Sequence, residues 1–155
     1  MTEIRFYHLQ RASLEQALPA LLEKCLERGW RAVVLTSSWE RCDGLTRHLW
    51  TYGDSTFLPH GNREDGEPDR QPVWLTDTDE NPNGASVLFL TGGTTSAALA
   101  RYDLVCDLFD GRDPEAVAAA RERWRAAKAA GHTLAYWQQS ERGKWEQKQK
   151  VEGGG

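Results

Sequence analysis

The sequence predicts an α/β domain of three layers, in which a mostly parallel sheet carries helices on both faces. Two observations lead to this fold class. Short apolar runs such as residues 32–35 and 87–90 are typical of strands that are buried on both faces. Segments with apolar residues at helical spacing separate these runs, and an alternation of strands and helices favours parallel pairing.

Six segments are predicted to be strands, because each is apolar or alternates polar and apolar residues between turn signals. They are residues 3–9, 31–36, 73–75, 87–90, 102–109 and 132–137. A turn is predicted at residues 53–55 and a loop at residues 61–71. After residue 139 the chain is mostly polar and ends in three glycines. We therefore expect a domain over residues 1–138 and a polar, flexible tail over residues 139–155.

Four helices are predicted from helical spacing and capping signals: residues 14–28, 38–50, 94–100 and 114–130. Ser13 and Gln16 form a capping box for the first of these helices, which Pro19 is expected to kink or loosen. Ser38 is a suitable N-cap for the second. Asp113, directly before a proline, is a strong start signal for the last helix.

The composition excludes several classes of protein. A net charge of −4 argues against a surface coated with phosphate-binding Lys and Arg, although a local basic patch remains open. Cys25, Cys42 and Cys106 lack the spacing of a disulfide framework or a zinc site. We find neither a signal peptide nor the run of about 18 apolar residues that a membrane span needs. We expect a cytoplasmic protein.

Tryptophan is unusually frequent, with seven residues in 155. One core of this size needs only one or two, so some of these rings are expected at surfaces where partners dock. The alternative for any single Trp is that it fills a wide gap between the sheet and a helix.

No catalytic constellation is recognisable, and no metal or cofactor is expected. Gly92-Gly93-Thr94 follows a strand and precedes a predicted helix, which is where anions bind helix N-termini. This stretch lacks the Lys of a phosphate loop and the spacing of a dinucleotide fingerprint. No nucleophile elbow occurs, and the four histidines match no metal-ligand spacing. A tight turn capped by Thr94 explains the stretch better than a phosphate site.

One face of the predicted helix over residues 114–130 collects positive charge around an indole. This face carries Val117, Arg121, Trp124, Arg125 and Lys128, which lie three or four residues apart. The opposite face carries six alanines and is expected to be buried: Ala116, Ala119, Ala120, Ala126, Ala127 and Ala130. Arg123 falls within the alanine face, where snorkelling or an ion pair would explain it.

This cationic face suits an acidic peptide that ends in a hydrophobic residue, since Arg binds carboxylates bidentately beside an apolar floor. A solvated charged face is the alternative, and Glu122 can neutralise part of the charge.

Three stretches of the chain resemble the chi subunit of bacterial DNA polymerase III (HolC). The first is the opening segment Ile4-Arg5-Phe6-Tyr7-His8-Leu9. The second is Leu49-Trp50 followed by Phe57-Leu58-Pro59-His60. The third is Arg121-Glu122-Arg123-Trp124-Arg125 followed by Lys128 and Gly131. With the order of strands and helices between them, the resemblance covers residues 2–138.

The resemblance implies a non-catalytic adaptor that binds the acidic C-terminal tail of single-stranded DNA-binding protein. The residues it assigns to the tail site are Arg121, Trp124, Arg125 and Lys128, with Phe109 as an apolar wall. It assigns Trp50, Phe57 and Pro59 to a contact with the psi subunit of the clamp loader or with a repair helicase. The alternative for Trp50 and Phe57 is that both are core residues that pack the second helix on the sheet. The chain departs from the family at Val117, where members can carry a further basic residue, and in the tail after Gln139.

Two other functions remain open on the residues alone. One is a small α/β enzyme or nucleotide-binding protein that uses the loop after Leu90. The other is direct binding of single-stranded DNA through Trp124 and the basic face, because aromatic rings stack on bases. The net charge and the narrowness of the basic patch count against the second, so no direct contact with nucleic acid is expected.

Overall fold

A sheet of seven strands organises residues 2–53 and 57–153, the part of the chain that the computed structural model describes. The strands are β1 (Glu3–Leu9), β2 (Ala32–Leu35), β3 (Val73–Thr76), β4 (Val87–Thr91), β5 (Leu104–Asp110), β6 (Thr133–Gln139) and β7 (Trp145–Val151). The helices are α1 (Leu14–Glu27), α2 (Trp39–Thr51) and α3 (Pro114–Ala129), with 3₁₀ turns at Pro68–Arg70 and Leu99–Arg101. The predicted turn at residues 53–55 falls largely outside the described residues.

The strands are ordered β3-β2-β4-β5-β1-β6-β7. Neighbouring strands are parallel throughout, except that β7 runs antiparallel to β6. β1 lies between β5 and β6, with Ile4 opposite Val105 on one side and Leu134 on the other. The mostly parallel sheet is thus as predicted.

Successive side chains of the central strands point into two separate apolar cores. The core beneath α1 and α2 contains Tyr7, Leu9, Val34, Leu75, Phe89 and Leu108. The core beneath α3 contains Ile4, Phe6, Val33, Leu35, Leu88, Leu90, Val105 and Phe109. Helices therefore cover both faces of the sheet, and the predicted three-layer α/β fold is confirmed.

α1 begins with the predicted capping box and runs unbroken through Pro19, without the loosening expected there. Proline lacks the N–H that would bind the carbonyl of Glu15 one turn earlier. The Nε2 atom of His48 on α2 lies 2.6 Å from that oxygen. Since a carbonyl only accepts, Nε2 must carry the proton. An imidazole from the neighbouring helix thus replaces the missing backbone donor.

The α-helix predicted over residues 94–100 does not form, and this segment contains only the start of the 3₁₀ turn Leu99–Arg101. Local side-chain hydrogen bonds explain the difference, because they compete with helical ones. Thr94 Oγ1 donates to the carbonyl oxygen of Thr91 at 2.8 Å. The carboxylate of Asp79 accepts from Ser96 Oγ at 2.7 Å and from the backbone N–H of Ala97 at 2.9 Å.

The segment after residue 139 forms a strand that the sequence analysis did not predict. β7 pairs with β6 after a turn in which the backbone N–H of Ser140 donates to the carbonyl oxygen of Lys144 at 2.7 Å. The ring of Trp145 meets the ring of Tyr7 edge-on, with centroids 5.0 Å apart. β7 is mostly exposed and rich in Lys, as is typical of an edge strand. Its composition therefore resembles that of a polar tail, which is why the strand was not predicted. The division at residue 138 stays a prediction.

A buried ion pair joins α3 to the sheet. Arg123 Nε lies 2.6 Å from one carboxylate oxygen of Asp107 on β5, and Nη2 lies 3.0 Å from the other. Both side chains are largely buried. Burial raises the pKa of Asp107 above its usual range, and Arg123 opposes that rise. Of the two explanations for Arg123 on the alanine face, the ion pair is confirmed.

The helices of the described segments are short for a membrane span, which needs about 20 apolar residues. α3, with 16 residues, is the longest of them. Within residues 2–53 and 57–153, none has the length and apolarity to cross a bilayer.

Removing one partner of the buried pair should destabilise the domain strongly. We expect Arg123→Met to lower the free energy of unfolding by about 3–5 kcal/mol, because it leaves the Asp107 carboxyl buried and unpaired. The double variant Asp107→Leu/Arg123→Met should recover most of this loss. Urea denaturation monitored by circular dichroism measures both.

Arg125→Met is the matched control, since Arg125 forms an exposed pair with Glu122. Its effect should stay below about 1 kcal/mol. Equal losses for the single and double variants would show that the pair does not govern the docking of α3.

A cation-rimmed groove as the candidate functional site

A groove of about 240 Å³ opens beside α3 on its face of the sheet. Its walls come from β1, β5, β6, β7 and α3, and we call it the aromatic groove. Its lining residues are Phe6, Phe109, Val117, Ala120, Arg121, Trp124, Tyr136 and Gln149. The parallel register aligns the strands that supply them, with Phe6 opposite Asp107 and Tyr136 and Phe109 opposite His8. Four strands and one helix thus line the groove, and β1, β5, β6 and α3 supply its aromatic rings.

Trp124 forms a wall of the groove and is half-buried. Its indole meets Phe6 edge-on at 5.3 Å between ring centroids and Tyr136 edge-on at 6.1 Å. Phe109 lies beneath, only 4% exposed, with its centroid 6.1 Å from that of Tyr136. Such edge-to-face contacts hold the rings in defined positions. Trp124 and Phe109 therefore share one preorganised apolar surface.

The three predicted cations lie exposed along α3 in different settings. Arg121 lines the aromatic groove. Arg125 pairs with Glu122, so the predicted partial neutralisation is present. Neither Arg121 nor Lys128 forms a salt bridge with any residue of the described segments. Arg121 is thus the cation that lines the aromatic groove itself.

The buried side of α3 differs from the expected alanine face. It runs through Val117, Ala120, Trp124 and Ala127, which pack on the core beneath α3. Ala119, Ala126 and Ala130 are exposed, while Ala116 is half-buried. The prediction placed Val117 and Trp124 on the solvent side, and it is wrong in that respect. Burying the indole against Phe6 removes more apolar area from water than burying a row of methyl groups.

His8 lies beside the aromatic groove, although the sequence pattern gave this histidine no role. Its Nδ1 atom bonds the hydroxyl of Tyr136, and its ring meets Phe109 at 5.2 Å. Burial lowers the pKa of His8, and the positive charge of Arg121 lowers it further. The signal was available, because His8 alternates with Phe6 on one strand face.

Gly111 explains why the chain after β5 can approach His8. A Cβ atom on Gly111 would lie 1.9 Å from His8 Cδ2 and 2.0 Å from Nε2, far inside contact distance. The close approach of the imidazole to the backbone therefore requires glycine at this position.

A second aromatic surface lies at the C-terminal end of α2 and at residues 57–59, across the sheet from the groove. Trp50 is 48% exposed and Phe57 is 71% exposed, with ring centroids 5.8 Å apart. Trp50 also rests on the buried ring of His60 at 4.3 Å, and Pro59 is half-buried next to it. Exposed rings of this size are uncommon on a monomer and mark a surface suited to a partner. The alternative, that these rings fill the core, is wrong.

The potential metal ligands and the cysteines of the described segments are dispersed or buried. They contain no group of three His, Cys, Asp or Glu side chains arranged to hold a metal ion. The three cysteines are buried and free. Burial raises the pKa of both Cys25 and Cys42 to about 11, so their thiols stay protonated at neutral pH.

Fold and site together define a three-layer α/β domain with a cation-rimmed aromatic groove beside its last helix. Residues 1–135 match the family described as DNA polymerase III chi subunit, HolC, and the chain belongs to that family. The resemblance found in the sequence is thereby confirmed.

A relative from Rickettsia prowazekii (strain Madrid E), described as a probable DNA polymerase III subunit chi, is 35% identical over 99 residues. The alignment covers 64% of this chain and 60% of that relative's length. It therefore leaves about two fifths of the relative without a counterpart here.

The positive charge of Arg121 should have a measurable effect on the pKa of His8. We expect Arg121→Gln to raise the pKa of His8, because the variant removes a nearby positive charge that disfavours the imidazolium. Arg125→Gln should leave that pKa unchanged, since Arg125 is exposed and paired with Glu122. NMR titration of the imidazole nitrogens measures both. Identical His8 titration curves for the two variants would place Arg121 away from the groove.

Proposed function

We propose that this chain is a non-catalytic accessory subunit of a DNA polymerase III holoenzyme, and that it binds the acidic C-terminal tail of single-stranded DNA-binding protein. The observation that carries the proposal is Arg121, a cation with no salt bridge to any described residue, at the rim of a groove lined by four aromatic residues. Through this contact the subunit links the clamp loader to protein-coated single strands. Family membership supports the polymerase context.

The groove matches the end of such a tail in shape and charge. A terminal Phe side chain fills the apolar space between Phe109, Trp124 and Val117. Its carboxylate then meets the guanidinium of Arg121, and charge-assisted bonds of this kind are among the strongest in proteins. Acidic residues upstream of the Phe meet Arg125 and Lys128, which continue along α3 one and two turns further.

Electrostatics favours encounter at this place on an otherwise acidic molecule. The net charge of −4 repels an acidic peptide at a distance, whereas the cations of α3 attract it locally. Such attraction acts mainly on the association rate and weakens as salt screens it. Arg125 contributes less than Arg121, because Glu122 must first be displaced or shared.

The surface of Trp50, Phe57 and Pro59 is proposed as the second contact, with the psi subunit of the clamp loader or a repair helicase as its partner. Support comes from the exposure of its two rings and from its location on α2, across the sheet from α3. One partner on each side of the sheet allows both to bind at once.

The loop after Leu90 offers less support for the alternative nucleotide-binding function. Gly92 and Gly93 both have positive φ and form a turn that Thr94 closes. A 3₁₀ turn of three residues follows instead of an α-helix, so the loop lacks the helix N-terminus that would bind an anion.

Tail binding is tested with a fluorescent acidic peptide that ends in Pro-Phe. We expect salt-sensitive binding of the free acid and none of the C-terminally amidated peptide, because the carboxylate is the group that Arg121 recognises. Arg121→Ala should weaken binding by about 1.5–3 kcal/mol, the usual contribution of a hydrogen bond to a charged group. Arg125→Ala should weaken it by a smaller amount. Fluorescence anisotropy gives the affinities.

Arg47→Ala on α2 is the matched control, since Arg47 is an exposed helical Arg paired with Asp43. It should bind the peptide like the unchanged protein. Unaltered affinity in both the Arg121 and Arg125 variants would exclude α3 as the tail site.

The second contact is tested by the charge-neutral variants Trp50→Ser and Phe57→Ser. Each should weaken binding to a purified psi subunit by about 2 kcal/mol or more, because exposed aromatic anchors commonly dominate such interfaces. Isothermal titration calorimetry measures this loss. Trp30→Ser, at an exposed Trp elsewhere, should have no effect. Full affinity in both α2 variants would exclude this surface as the psi contact.

A further inference from the structure

A second cluster of cations and indoles lies on the opposite face of the sheet from the aromatic groove. It surrounds a cleft of about 170 Å³ between α1 and the strands β1, β6 and β7, and we call it the tryptophan cleft. Its polar and aromatic lining includes Arg5, Lys24, Arg28, Trp30, Trp137 and Trp145. The family match ends at residue 135, so two of these indoles come from sequence beyond it.

The cations of the cleft are placed over aromatic rings and near solvent. Arg28 holds its guanidinium 5.1 Å from the ring centroid of Trp30, and Arg5 lies 6.0 Å from that of Trp137. Lys24 and Arg28 are one helical turn apart and exposed. Arg5 pairs with Glu3, whereas neither Lys24 nor Arg28 has a salt bridge to a described residue. The cleft therefore presents two available positive charges.

The indoles of the cleft include one exposed ring and one unused donor. Trp30 is 37% exposed. Trp137 stacks on Tyr7 with centroids 6.3 Å apart and planes 19° apart, and Trp145 meets Tyr7 edge-on. The Nε1 atom of Trp137 is buried and has no hydrogen-bond acceptor among the described residues. The exposed ring of Trp30 is therefore the stacking surface that the cleft offers to a ligand.

We infer that the tryptophan cleft binds single-stranded nucleic acid. A base stacks on Trp30, and phosphates meet Lys24 and Arg28. A planar ring joined to an anion satisfies all of these groups together. An acidic peptide without an aromatic residue would satisfy the cations alone. The size of the cleft restricts contact to one or two nucleotides.

The inference is tested with a fluorescently labelled thymidine oligonucleotide of about eight residues, near the site sizes of single-strand binders. At low ionic strength we expect binding whose affinity falls with salt at a log–log slope of about −1.4, as two phosphate contacts predict. Lys24→Ala/Arg28→Ala should remove most of this slope. Trp30→Ala should weaken binding about tenfold through lost stacking. All three residues are exposed, so these variants should fold normally.

Matched variants on the other face separate this inference from the proposed tail site. Arg121→Ala should weaken binding of the acidic peptide and leave binding of the oligonucleotide unaffected. Lys24→Ala/Arg28→Ala should do the reverse. Each site can therefore fail by itself in the same pair of titrations.

Three results would overturn the inference. The first is the absence of oligonucleotide binding at low ionic strength. The second is binding that is unchanged in both the Lys24/Arg28 and the Trp30 variants. The third is tighter binding of an acidic peptide than of the oligonucleotide, lost in the Lys24/Arg28 variant, which would make the cleft a peptide site.

Discussion

The buried pair of Arg123 and Asp107 is the constraint on which the orientation of α3 depends. A bidentate bond to the middle of β5 fixes the rotation of the helix about its own axis, because a buried carboxylate accepts no other position of its partner without a large loss. Because Arg123 faces the sheet, the indole of the next residue, Trp124, packs on Phe6. Arg121 then stands at the rim of the aromatic groove, while Arg125 and Lys128 face water. The candidate site is therefore a consequence of how one helix is anchored.

The parallel sheet separates the binding surfaces of the molecule. Strand alternation sends Phe6 and His8 towards α3, and Tyr7 towards α1 and α2, so adjacent residues of β1 serve different surfaces. The hairpin of β6 and β7 extends both layers at the same edge. Gln149 reaches the aromatic groove, whereas Trp145 packs on Tyr7 at the tryptophan cleft. A small domain thus presents distinct surfaces without needing a second core.

Elements that depend on residues close together in sequence were predicted more accurately than elements that depend on distant residues. The capping box at Ser13 and the Asp113 start of α3 were predicted correctly, since each depends on residues within one turn. The segment after Gly93 was predicted wrongly, because Asp79, distant in sequence, binds its backbone and hydroxyl groups. β7 was missed because an exposed, Lys-rich edge strand resembles a polar tail in composition.

Composition, periodicity and capping residues were enough to establish the α/β class and the cationic residues of α3. They also predicted all six strands β1 to β6 to within two residues of their observed bounds. Packing decided the remainder. It turned Trp124 inward, left Trp50 and Phe57 exposed, and placed His8 beside Arg121. The positions of Trp124 and His8 depend on contacts between residues more than a hundred positions apart, namely Phe6 with Trp124 and His8 with Tyr136. Local sequence patterns do not specify such pairs, because burial and register are properties of the assembled sheet.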